Sequence, residues 1–220
     1  MKQLYFIVLG GILILGIVYI YLHRQQLGLT GLPGFGAGED TSADQNTPAH
    51  MNWQKVNRSH DGFYLEMPAE VKELQVPAYN EHGGTDQVQM IVCNPNADTS
   101  FSVAWEDDPP VARVNGHAPD RTMDMARDDA LARTQTILIE EYRSNIDGYP
   151  ARDFVGRNIN GGIISSRMIF AGKRLYLLSA AFPSAHALRD RDVTRFFNSF
   201  TFDRNSGIPE SLPEAQPRND

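Results

Sequence analysis

The sequence predicts an α+β fold: a largely antiparallel β-sheet with a C-terminal meander, flanked by helices. Three observations carry this. Ile137 to Phe182 reads as four consecutive strands separated by short turns. Val193, Phe196, Phe197 and Phe200 fall at i, i+3, i+4 and i+7, the apolar face of a helix. Before the meander, three more segments alternate with a period of two: Phe63-Leu65-Met67, Val88-Met90-Val92 and Phe101-Val103-Trp105.

The meander is the clearest stretch. Asp147-Gly148, Asn160-Gly161 and Gly172 sit at its turns, and Asp-Gly and Asn-Gly are strong hairpin signals. In the last strand, Leu175 and Leu177 point one way, and Tyr176, Leu178, Ala180 and Phe182 the other. Both faces are apolar, which predicts a central strand covered on both sides. The strand before it puts Ile164, Met168 and Phe170 on one face and Ile163, Ser165, Arg167 and Ile169 on the other. That mixed second face predicts a place nearer an edge or under an incomplete cover. ARDFVGR alternates weakly, and ILIEEYR turns polar halfway along.

The first half of the domain starts at Asn52-Trp53. The strand Phe63 to Met67 is ended by Pro68. Pro77 to Thr85 reads as an exposed loop, Asn94-Pro95-Asn96 begins a connection, and Asp107-Asp108-Pro109-Pro110 ends a strand. Pro119 to Thr136 reads as a helix capped by Asp120 or Thr122, with Met123, Ala126, Ala130 and Thr134 as a thin apolar stripe and Leu131 at its edge. Ser184 is the natural cap of the second helix.

The ends carry the appendages. Residues 1–27 form a membrane anchor, in which Leu4 to Leu22 are 19 residues without a charge. As a helix they span roughly 28 Å, close to the thickness of the hydrocarbon layer. Tyr5, Tyr19 and Tyr21 lie near the ends of the span, where aromatic rings favour the interface. A cleaved signal peptide is the rival reading. The apolar core is too long for one, and His23-Arg24-Gln25-Gln26 is a poor cleavage site. Lys2 precedes the span and Arg24 follows it, so the positive-inside bias leans toward an inward amino terminus with the domain outside. Residues 28–50 read as a flexible linker with five glycines between Gly28 and Gly38, reaching about 25 Å. Residues 51–204 form the α+β domain, and residues 205–220, with three prolines and no apolar period, read as a disordered tail.

Composition narrows the function. The chain has 220 residues, and a formal charge of −7 argues against binding nucleic-acid phosphates. The single cysteine, Cys93, rules out an internal disulfide. No catalytic constellation stands out, and no residue is expected to be catalytic, cofactor-binding or metal-binding, nor is any cofactor expected. Cys93 with His60 or His82 as base is the enzymatic alternative, of hydrolase type. A free cysteine ending an apolar strand is more often core. Spacings such as HExxH or CxxC are absent. The adjacent acids Asp107-Asp108 and Glu140-Glu141 face opposite ways on a strand and are read as solvated. Trp105, Tyr79 and Tyr149 are read as core before ligand patch. Asn57-Arg58-Ser59 matches a glycosylation sequon, relevant only in a eukaryotic secretory route.

The opening strand Phe63 to Pro68, the long helix after the second hairpin, GYPARDF (Gly148 to Phe154), KRLYLLSAAFPS and RFFNSFTF together resemble the PsbP/Mog-like superfamily over Asn52 to Phe202. The resemblance implies an antiparallel sheet sandwiched by helices (α/β/α) and a role in binding rather than catalysis. Such members are photosystem accessory subunits, a nuclear-transport GTPase partner and DcrB-type bacterial envelope proteins. The anchor points to the envelope branch. The expected function is therefore that of a bacterial inner-membrane protein whose domain faces the periplasm or cell exterior. It would bind a protein partner or assist an envelope assembly, without enzymatic activity. A small-molecule or lipid carrier with a pocket between the sheet and the Met123 helix is the alternative.

Overall fold

The computed structural model describes residues 51–79, 85–185 and 190–203. The expected anchor, linker and tail lie outside these residues, as does His82. Among the described residues no helix is long and apolar enough to cross a membrane.

Among the described residues, ten strands and three α-helices follow one another. They are β1 (Gln54–Arg58), β2 (Phe63–Met67), β3 (Lys72–Tyr79), β4 (Thr85–Asn96), β5 (Thr99–Asp107), α1 (Pro110–Val114), α2 (Pro119–Arg133), β6 (Thr136–Ile146), β7 (Tyr149–Asn158), β8 (Ile163–Ala171), β9 (Arg174–Phe182), α3 (Asp190–Ser199) and β10 (Thr201–Phe202). Strands β3 to β9 form one sheet in the order β3-β4-β5-β9-β8-β7-β6. Every neighbouring pair in it is antiparallel. The four-strand meander is thus present as expected, and it attaches to the first half through β5 against β9.

The turns explain the meander. Asp147 and Gly148 both have positive φ (52° and 88°), the backbone of a two-residue turn whose twist matches its strands. The closing pair is Ile146 opposite Tyr149. Asn158 fastens the next turn by accepting the backbone N–H groups of Asn160 and Gly162 on its side-chain oxygen, both at 2.9 Å.

The large sheet is covered on both faces, and β9 shows how. Leu175 and Leu177 join a cluster with Val88, Met90, Met123 and Ala126 beneath α1 and α2. Tyr176, Leu178, Ala180 and Phe182 join a second cluster with Phe63, Trp105, Phe196 and Phe200 on the other side. The division of this strand read from the sequence is the division observed. In the second cluster the rings meet edge to face, Phe63 with Trp105 at 5.1 Å and Phe101 with Phe196 at 5.2 Å between centroids.

The second face is covered by α3 together with a small sheet, β1-β2-β10, so the sandwich has a mixed layer where helices alone were expected. β1 and the short α1 were not anticipated. Pro77 lies inside a strand, opposite Gln87, rather than at the start of a loop. A proline is tolerated there because β3 is an edge strand, where an N–H is not needed. α2 ends at Arg133, and its N-cap is Ala118, without a side-chain cap; neither Asp120 nor Thr122 serves. Asp120 instead holds Arg152, and the buried hydroxyl of Thr122 has no hydrogen-bond partner. Ser184 is described, but residues 186–189 between it and α3 lie outside the described residues, and so does the expected cap contact.

At Gly156, α2, β6 and β7 come close together. A Cβ there would meet Thr136 Cγ2 at 2.3 Å and Leu131 Cδ2 at 3.2 Å. Gly156→Ala is expected to lower stability by about 1–3 kcal/mol, because neither the strand nor the helix can withdraw without opening the core. Urea denaturation of the variant beside the unchanged chain measures it, and equal midpoints would refute the close approach.

Candidate functional site

The sequence left Cys93, the histidines, the acidic pairs and the aromatic trio to be placed. Cys93 is buried in the aromatic cluster, and burial pushes its thiol up to about 12. Its sulfur faces backbone groups of Ala69 and Phe101. A thiol so held is hardly ionised near neutral pH, so it lacks the thiolate a nucleophile needs. His60 is exposed and lies 2.9 Å from Asp61. Trp105 and Tyr149 are core. Among the described residues, no group of three metal-ligating side chains comes together.

The acidic pairs are not simply solvated. Asp107 grips Arg174 through both oxygens at 2.5 and 2.7 Å, and Arg174 also donates to the Asp61 carbonyl. Glu141 accepts from Arg127 at 2.7 and 2.6 Å and from Arg152 at 3.2 Å. Arg152 is buried and also binds Asp124 and both the carbonyl and the carboxylate of Asp120. Burial opposes its charge, but the bonds to Asp124, Asp120 and Glu141 outweigh that and hold it above the usual arginine range. These bonds pin α2 to β6 and β7. They are structural, and the sequence reading missed them.

Glu106 was missed as well. It is 5% exposed at the end of β5, with Oε2 unpartnered. Burial pushes its carboxyl up to about 8; Asp86 pushes the same way, Arg113 opposes, and Asp107 and Asp108 add to the rise. Beside it, Asp108 and His117 pair side chain to side chain, both at positive φ (49° and 57°). The Arg113 guanidinium reaches the Asp108 carbonyl at 2.5 Å and Asp86 at 3.3 Å.

The cleft between the sheet and α2 is lined by Ala130, Leu131, Thr136, Phe154, Gly156 and Leu177, among others, and holds about 20 Å³. That is room for a single water, well short of the ~300 Å³ or more of a small-molecule pocket.

The surface is most unusual along β6, the last strand of the large sheet. Ile137 is 72% exposed, Ile139 half exposed and Tyr142 61% exposed, and Ile159 in the adjoining β7–β8 turn is 70% exposed. Leu138 is also exposed. The opposite edge, β3, presents Lys72, Glu73, Gln75 and Pro77. Charges and proline are the usual devices that keep an edge from pairing. β6 also carries charges, Glu140, Glu141 and Arg143, and a bulge between Leu138 and Glu140, but it has no proline, and from Glu140 to Ile146 it pairs with β7 without interruption. The outer backbone groups of this regular half have no neighbouring strand among the described residues.

No family model matches the chain, and no curated protein matches it. Solved structures do. The solution structure of cyanobacterial PsbP (CyanoP) from Synechocystis is similar at 16% identity, covering 74% of this chain and 98% of that one, with a TM-score of 0.43. The crystal structure of PA94 from Pseudomonas aeruginosa, a protein of unknown function, is similar at 14% identity, covering 66% of this chain and 90% of that one, with a TM-score of 0.35.

Proposed function

We propose that this chain is a non-enzymatic binding module, moored to a bacterial inner membrane by Leu4 to Leu22, whose domain lies outside the cytoplasm and takes up a protein partner along β6. The apolar exposure of Ile137, Ile139, Tyr142 and Ile159 carries this reading. An edge strand with free backbone groups offers main-chain hydrogen bonds to an added strand, and the flanking apolar side chains supply contact area. The nineteen-residue uncharged span supports the anchor, and the acidic balance favours a protein partner over nucleic acid.

A photo-reactive amino acid placed at Ile139 in the full chain, in its own membrane, tests the edge. It should give a discrete cross-linked adduct, and the same probe at Gln75 on β3 should not. Absence of any adduct from Ile137, Ile139 or Tyr142 would end this reading. Alkaline washing should leave the chain with the membrane; release into the wash would show that the leader is not an anchor.

A further inference from the structure

Resting on that reading of the β6 edge, we infer that the strand added to β6 is β6 of a second copy, joined antiparallel about a two-fold axis through Tyr142.

The backbone sets the possible registers. The two-residue turn closes on Ile146 opposite Tyr149, and such closing residues exchange hydrogen bonds across the hairpin. Counting back along the strand, Ser144, Tyr142 and Glu140 turn their backbone groups toward β7, and Asn145, Arg143 and Glu141 turn theirs outward. A two-fold axis perpendicular to the sheet requires one residue to lie opposite itself. Centring on Glu141 sets glutamate against glutamate, centring on Arg143 sets arginine against arginine, and centring on Glu140 again opposes like charges. Directly opposed like charges destabilise a pair of strands. Centring on Ser144 opposes no like charges within the strand but sets Arg143 against Asn145 and gains no ion pair. Centring on Tyr142 avoids like charges and sets Glu141 opposite Arg143 of the second copy, twice over by symmetry, with Glu140 opposite Ser144. In this register Glu141 and Arg143, which turn outward, form the hydrogen-bonded pairs.

Charge on the helical side agrees. Asp120, Asp124, Asp128 and Glu141 surround Arg127 and Arg152, so carboxylates outnumber guanidiniums four to two. Arg143 is largely exposed and touches this cluster only through Asp120 at 3.5 Å. In the pair, each Arg143 reaches the acidic excess of the other copy. On the opposite face the two Tyr142 rings meet, and the exposed Ile139, at the bulge, comes beside Asn145 and Ile146 of the second copy.

The full chain with Tyr142→Cys tests the register. Residues opposite one another at a non-hydrogen-bonded site lie close enough for a disulfide, with Cα atoms about 4.5–5.5 Å apart. With added oxidant, and maleimide capping before denaturation, the variant should run at twice the chain mass. Ser144→Cys lies opposite Glu140 and should stay single. Adding Arg143→Glu to Tyr142→Cys should reduce the cross-link to the Ser144→Cys level while the far-UV spectrum is unchanged. Equal cross-linking of the Tyr142→Cys and Ser144→Cys chains, or none of either, would overturn the two-fold pair. If Ile139 photo-adducts contain a different protein and none has twice the chain mass, the self-pairing is wrong and the docking edge stands.

Discussion

Replacing Arg152 with alanine is expected to lower stability by about 3–4 kcal/mol and to loosen α2 from the sheet. The guanidinium is buried and joins three elements: Asp120 and Asp124 on α2, Glu141 on β6, and its own strand β7. Its removal leaves three carboxylates gathered without their common cation, and a space where the side chain packed. Arg152→Lys should rescue little, since a single ammonium cannot span three partners as a planar fork does. The acid limb should change too. The hydrogen bond from Arg152 holds Asp124 below its usual carboxylate range, and burial opposes this only in part. A carboxylate depressed in the folded state adds stability that is fully present above its unfolded pKa and is lost as pH falls through the folded one. The alanine variant should therefore show a shallower loss of stability on acidification. Denaturant titrations at several pH values measure both effects, and a variant with unchanged midpoint and acid limb would show that the cluster carries no stability.

Glu106→Gln should act in the opposite direction. Burial raises the Glu106 carboxyl from 4.5 to about 8, so between these values the folded chain holds a proton that the unfolded chain releases. Stability of the unchanged protein must fall as pH rises through that interval, then level off. Glutamine cannot ionise and should remove this slope. The gain is expected to be near zero at about pH 4 and on the order of 3 kcal/mol at about pH 8.5. The unpartnered Oε2 fits the same picture, because a neutral carboxyl leaves an oxygen without a donor at lower cost than a carboxylate would. Parallel pH profiles for the two proteins would contradict it.

Both positions were hard to read in the sequence, for the same reason. Strand periodicity assigns a residue to a face and does not say what covers that face. Glu106 follows Ser102 and Ala104 on the helical side of β5, where α1 closes over it. PVARV, five residues beginning at the second of two prolines, carries too short a pattern to announce a helix. Arg152 made ARDFVGR look weakly alternating, although an arginine on a buried face opposite two helical aspartates was the available signal. The long-range apolar pattern was legible: β9 and β8 were divided correctly between their faces, and β2, β4 and β5 stand where alternation put them. Edge strands were less so. β1 and β3 each bury little and mix charges into a short run, so nothing in QKVNR or KELQVPAY enforces a period of two. In ILIEEYR the loss of alternation halfway along was itself the mark of an edge, and that edge became the candidate site.

The pairing of β10 with β2 has a temporal corollary. Thr201 sits opposite Tyr64 and Phe202 opposite Phe63, and Phe200 stacks on Phe63 at 5.4 Å. During synthesis the ring of Phe63 therefore leaves the ribosome long before the residues that will shelter it. A nascent chain halted before Phe200 would keep Phe63 and Tyr176 open to chaperones and proteases, and this face of the domain can close only once β10 has been made.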